Sequence, residues 1–375
     1  MATWRKIIAI SLLLSFTALQ IFAAPDPNFH MYLLFGQSNM AGGCNGGTAT
    51  PESIDILDTD CDTTSRVKLL AFNDCSNYKS NPCGSFTMNR EHNKWYTAYP
   101  PYHNCSEGIG PADYFGKILL DSIREDIRIG FIPCALSGQA IEMFMKGQMS
   151  QVPDWCNSYL SQQGNVSVYD WMRERCELAQ DSGVIKGILF HQGEANTNDP
   201  AWPGNVAQVV SDLRNDLNLG EEVPFLAGEV LRSGGSASHN TQVAKIPSVI
   251  PNSYVISSEG LVVRVGDTWN LHFSCESVRT FSRRYAEAFL SAVDNDFVPR
   301  KGTVTTHRLR AILHRKIMNT SGGAVSVYSL DGKAIRTSPS TGVKPALHAM
   351  RSTGVYIVSG KLDDGTTAIV PCVKE

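Results

Sequence analysis

From about residue 29 to residue 293, short apolar runs alternate with longer amphipathic stretches, and this rhythm restricts the possible folds more than any other property of the chain. Strands are expected at 30–35, 127–136, 185–190, 224–230 and 253–257, and helices at 111–126, 169–182, 206–217, 241–249 and 274–293. Alternating strands and helices bury their apolar faces best as a parallel sheet covered on both sides, so the fold class is α/β with three layers. Residues 44–108 break the rhythm. They are rich in Cys, Asn, Pro and aromatic side chains, among them Trp95, Tyr96, Tyr99 and Tyr102, and read as a loop insertion over one edge of the sheet.

The two ends differ from this body. Residues 1–24 combine Arg5 and Lys6 with an apolar stretch from Ile7 to Leu19 and the small pair Ala23-Ala24, the pattern of a secretory signal peptide; the apolar stretch is too short for a comfortable membrane span. All ten cysteines follow this segment, and in an exported chain an even number favours disulfides over free thiols, with the pairing open. At the other end, residues 297–318 form a basic linker. Residues 319–375 carry short alternating runs separated by Asp331-Gly332 and Asp363-Asp364-Gly365, hairpin signals for a small β module. This tail resembles the C-terminal sorting or cell-surface modules of secreted proteins of the Bacteroidetes and Fibrobacter type, which implies a partner in a secretion machinery or at the cell surface. A formal net charge of −3 offers no electrostatic reason to bind nucleic acid or an anionic membrane surface, and it favours a neutral substrate.

Four places near the carboxyl ends of expected strands carry reactive side chains, which is where an open α/β sheet builds its site. The run Met31-Tyr32-Leu33-Leu34-Phe35 passes directly into Gly36-Gln37-Ser38-Asn39-Met40 and presents a serine hydroxyl on a tight turn. Met40 in the last position excludes the Gly-x-Ser-x-Gly elbow of ordinary α/β-hydrolases. Cys134-Ala135-Leu136-Ser137-Gly138-Gln139 is a small-residue turn whose backbone N–H groups could face an oxyanion. His191-Gln192-Gly193-Glu194 follows the third strand, and Asn270-Leu271-His272-Phe273 precedes the last helix. A serine needs a neutral imidazole within reach and an acid to orient that ring, and His272 is the natural base. His191 and Glu194 lack a third ligand at a suitable spacing, so no metal site is expected.

These blocks, in this order over residues 30–290, resemble the SGNH (GDSL-like) hydrolases, in the Gly-Gln-Ser-Asn-Met variant of carbohydrate esterase family 6 and its sialate O-acetylesterase relatives. The resemblance implies a flavodoxin-like α/β/α sheet, no cofactor, and removal of acetyl groups from plant polysaccharide, chiefly acetylxylan, by Ser38 and His272. It places the oxyanion hole at Ser38, Gly138 and Gln192. Relatives carry the acid two or three residues before the histidine, where this chain has Asn270 and Trp269. Glu194 is therefore the first expectation for the acid and Asp267 the alternative. The aromatics of the insertion would stack on sugar rings or form a satellite core. Two rival readings stay open: a sialate O-acetylesterase, whose anionic substrate would need cleft arginines such as Arg264 and Arg232, and a non-catalytic carbohydrate-binding surface protein.

Overall fold

The computed structural model describes residues 24–44, 56–75, 83, 89–148, 160 and 167–293, and the backbone of four strands between 325 and 374; the signal-like residues 1–23 and the basic linker lie outside the described residues. The main sheet contains β1 (Phe29–Gly36), β2 (Val67–Leu70), β3 (Trp95–Thr97), β4 (Arg128–Pro133), β5 (Val184–His191), β6 (Phe225–Gly228) and β7 (Ser253–Ile256). Its order is β3-β2-β4-β1-β5-β6-β7, parallel throughout except for β3, which pairs antiparallel with β2. The strands expected from the apolar runs are all present, with β4 shorter than the run that announces it.

β1 is buried along its whole length because both faces of the sheet are covered. Met31, Leu33 and Phe35 point into one core with Trp171 and Met172 of α3 (Val168–Gln180) and Val206 and Val209 of α4 (Trp202–Asp216). Tyr32 and Leu34 point into the other, with Phe115 and Leu119 of α2 (Pro111–Leu120) and Phe281 and Phe289 of α7 (Cys275–Ala292). This period of two inside a continuous apolar run is what a central parallel strand requires. The remaining helices are short: α1 (Ser38–Ala41), α5 (Asn240–Val243) and α6 (Ile246–Val249). The single helix expected over 241–249 is divided into α5 and α6, with Pro247 in the first turn of α6, where its missing N–H does no harm.

The insertion is more than a loop. It supplies β2 and β3, which extend the sheet past β4, and Asp60, which pairs with Arg279 of α7 at 2.7 Å. Its aromatics serve the structure. Trp95 packs edge-on against Phe29 with ring centroids 4.9 Å apart, Tyr102 is buried against Phe131, the Tyr96 hydroxyl accepts from Glu91 N, and Tyr99 lies beneath Arg90. These contacts favour the satellite-core reading over sugar stacking.

Three disulfides join described cysteines: Cys44–Cys275, Cys61–Cys83 and Cys75–Cys105. Contrary to the expectation of disulfides alone, Cys134 and Cys176 are free thiols in the interior, where burial pushes the Cys134 thiol up to about 11. A second sheet, antiparallel in the order β11-β10-β8-β9, contains β8 (Val325–Tyr328), β9 (Ala334–Ser338), β10 (Gly354–Lys361) and β11 (Thr367–Lys374). Among the described residues no helix is long and apolar enough to cross a membrane.

Candidate active site

Ser38 opens α1 directly after β1. The turn depends on Gly36, at φ +130°, where a Cβ would fall 2.0 Å from the carbonyl oxygen of His191 on β5; any side chain there would push the two strand ends apart. The Gln37 N–H then donates to the same carbonyl at 2.9 Å, so the serine turn is tied to β5 on both sides of the sequence step.

His272 comes from the loop between β7 and α7. Val263 and Phe273 form an antiparallel bridge, and Arg264 N donates to His272 O at 2.8 Å, which makes the loop a closed hairpin instead of a free strap. Its imidazole Nε2 lies 2.9 Å from Ser38 Oγ. The other ring nitrogen, Nδ1, lies 3.2 Å from Asp267 Oδ1. A carboxylate can only accept, so the ring proton sits on Nδ1 and Nε2 is left to take the proton of the serine. Asp267 Oδ2 accepts the backbone N–H groups of Leu271 at 2.7 Å and His272 at 2.8 Å. Burial alone would raise its carboxyl, but these two N–H bonds and the imidazole outweigh it and hold the group below the ordinary aspartate value of 3.8.

The carboxylate at the ring is thus Asp267. Glu194, the first expectation, makes no hydrogen bond to His272 among the described residues. Its Oε1 accepts from Asn39 Nδ2 at 2.7 Å and lies 3.8 Å from His191 Nδ1. Asp267 lies five positions before His272, and Gly266 (φ +77°) and Asn270 (φ +53°) supply the left-handed corners that fold the aspartate back under the ring. Turn formers on both flanks of the aspartate were the available signal for it.

Gln192 departs from expectation too. Its Nε2 donates to Asn196 Oδ1 at 2.8 Å and also approaches Gln37 Oε1 and Gln139 O, while its Oε1 accepts from the Trp202 indole. Both side-chain donors are committed inside the protein, so Gln192 braces the turn after β4 and leaves no N–H for an oxyanion. Gly138, exposed and at φ +75°, forms that turn; its left-handed backbone disfavours any other residue, although a Cβ would meet nothing within 4 Å. Beside it, Ser137 Oγ donates to Glu107 Oε1 at 2.6 Å, and burial raises the Glu107 carboxyl. Among the described residues no group of three or more His, Cys, Asp or Glu side chains is arranged to hold a metal ion.

A serine hydroxyl, a correctly protonated imidazole and a buried carboxylate in line can carry out nucleophilic acyl transfer. The model of the carbohydrate esterase family described as sialic acid-specific acetylesterase matches residues 28–291, most of the chain and all four blocks. The chain belongs to that family. A probable carbohydrate esterase of Arabidopsis thaliana is 25% identical over 285 residues, which is 72% of this chain and 93% of that protein. The X-ray structure of a protein from the same plant has a TM-score of 0.53 at 24% identity over 73% of this chain and 100% of that one, a likeness of fold. NanS has a TM-score of 0.49 at 18% identity over 71% of this chain and 98% of its own.

Proposed function

We propose that the protein is an extracellular serine esterase that removes O-acetyl groups from neutral plant cell-wall polysaccharide, acetylxylan foremost. The observation that carries the reading is the line from Asp267 through His272 to Ser38, with the 2.9 Å contact at the hydroxyl. Ser38 Oγ attacks the acetyl carbonyl as its proton passes to His272 Nε2, and Asp267 stabilises the resulting imidazolium. The backbone N–H groups of Ser38 and Gly138 receive the developing oxyanion. His272 then protonates the departing sugar oxygen, takes a proton from a water that attacks the acyl carbonyl, and returns that proton to Ser38 Oγ as acetate leaves.

Several features support a neutral sugar. Arg264 is 3% exposed, donates to Gly43 O at 2.7 Å and lies 3.7 Å from Asp267, so it braces the acid. Arg232 is paired with Glu229 through two contacts of 2.8 and 2.9 Å. The Arg264 guanidinium is buried, and the half-exposed Arg232 guanidinium is already neutralised by a carboxylate, which favours a neutral sugar over a sialate. Trp269, Val265 and Val262 make up three of the six exposed large apolar side chains among the described residues, all on the loop that carries Asp267 and His272. An indole 64% exposed there suits the apolar face of a pyranose ring. Residues 1–24 and the three disulfides support export, and the C-terminal strands suit a sorting or surface module.

The family description favours a second reading, a sialate O-acetylesterase. Acetate release from acetylxylan and from O-acetyl sialic acid, measured side by side, separates the two: preference for the polymer is expected, and preference for the sialate would overturn the neutral-sugar assignment. Ser38→Ala should abolish hydrolysis of 4-nitrophenyl acetate with the fold intact. Hydrolysis at the wild-type rate by that variant would remove Ser38 as nucleophile, and an inactive wild type would favour a binding protein.

A further inference from the structure

Asn39, next to the nucleophile, reaches across to the histidine loop and holds the backbone on both sides of His272. Its Nδ2 donates to Leu271 O at 2.9 Å and to Glu194 Oε1 at 2.7 Å, and its Oδ1 accepts from Phe273 N at 3.2 Å. The amide is 1% exposed and the Glu194 side chain 2%. Both Nδ2 hydrogens and the oxygen are therefore used, and the orientation is set by the partners. Turning the amide over would bring Oδ1 against two acceptors and Nδ2 against a donor.

We propose that Glu194 is a positioning residue for the base. By accepting from Nδ2 it locks the flip state of Asn39, and Asn39 in turn fixes the peptide units that flank His272, holding Nε2 at Ser38. The inference rests on the reading of Ser38 and His272 as nucleophile and base, and it gives Glu194 a part in the reaction other than that of the acid. Glu194 Oε2 has no hydrogen-bond partner among the described residues. A buried carboxyl oxygen left unsatisfied costs stability, which a residue kept for folding alone gives no reason to retain. Hydrophobic packing could fill the same space. An acceptor aimed at one amide could not be replaced that way.

The test uses the full chain and counts functional sites by stoichiometric 4-nitrophenol release from diethyl 4-nitrophenyl phosphate, so that kcat is expressed per competent site. Glu194→Ala should lower kcat for 4-nitrophenyl acetate at least tenfold with KM changed less than about threefold, since the ring is displaced and the acyl pocket is not. Asn39→Ala should behave alike, and the double variant should be no slower than Asn39→Ala alone, because the two act through one amide. Glu194→Gln, which keeps an accepting oxygen, should retain at least a third of wild-type kcat. A wild-type kcat per site in Glu194→Ala, whatever its melting temperature, would overturn the proposal, and so would losses that multiply in the double variant. If Glu194→Ala does not fold, Asn39→Asp replaces it: kcat should fall, and adding Glu194→Gln, which reverses donor and acceptor, should restore part of it. No restoration would overturn the proposal. Loss of activity in Ser38→Ala and Asp267→Asn reports separately on the underlying triad.

Discussion

Asp267 and His272 are joined twice, once through the ring, where Oδ1 faces Nδ1 at 3.2 Å, and once through the backbone, where Oδ2 accepts the His272 N–H at 2.8 Å. The carboxylate therefore sets both the tautomer of the imidazole and the position of the residue that bears it. Because Oδ2 also accepts from Leu271 N, the aspartate organises its own turn before it acts on the ring. This double duty makes Asp267 hard to replace.

Asp267→Asn should cut kcat by at least ~10²-fold, because an amide can neither stabilise an imidazolium nor guarantee the Nδ1–H tautomer. Glu194→Gln should stay within about threefold of wild type, as it keeps an acceptor for Asn39. Steady-state kinetics on 4-nitrophenyl acetate decide it. A crippled Glu194→Gln beside a near-normal Asp267→Asn would return the acid to Glu194.

The buried pair Asp60–Arg279 ties the insertion to α7 and should give an acid-sensitive part of the stability. Burial would raise the Asp60 carboxyl, but the Arg279 guanidinium, the Tyr114 hydroxyl and the Leu57 N–H hold it below its ordinary value of 3.8. With the folded value depressed, the contribution is present above about 3.8 and is lost as pH falls below it, since the unfolded chain takes up the proton first. Asp60→Asn should lower the urea midpoint at pH 7, by an amount equivalent to about 3 kcal/mol. Its deficit relative to wild type should shrink by pH 3. A deficit independent of pH would show that the pair contributes through packing alone.

Cys44–Cys275 links the loop after Ser38 to the first residue of α7, three residues past His272, across a sequence separation of 231. Loop-closure entropy for a span of that size reaches about 5 kcal/mol in the chain-entropy model. Cys44→Ser/Cys275→Ser should therefore lose both melting temperature and kcat, whereas Cys61→Ser/Cys83→Ser, within the insertion, should lose mainly melting temperature. Thermal unfolding and kinetics on the two double variants check this, and equal effects on kcat would contradict it.

Trp269→Ala should reduce kcat/KM for acetylated xylo-oligosaccharides relative to 4-nitrophenyl acetate by at least about fivefold, the equivalent of ~1 kcal/mol of lost aromatic contact. An unchanged ratio would mean that the exposed indole does not meet the sugar.

The local pattern of the chain determined the parallel sheet, the order of its strands along the sequence and the presentation of Ser38 and His272 at the ends of elements. These follow from apolar periodicity and from which residues tolerate tight turns, properties of a few neighbouring positions. β2 and β3 escaped that reading because Val67–Leu70 and Trp95–Thr97 are too short to show a period; β2 is a strand by virtue of the edge of β4 and β3 by virtue of the edge of β2. The placement of Asp267, and not Glu194, at the His272 ring, the commitment of Gln192 to Asn196 and Trp202, and the pairing of Cys44 with Cys275 were decided only by the tertiary structure. Each depends on where a side-chain oxygen, amide or sulfur ends up relative to a partner. Ser38 and Asn39 meet partners 155 to 234 residues away, and a carboxylate takes the role of acid only where the folded loops bring it to the ring, because hydrogen bonds act over about 3 Å.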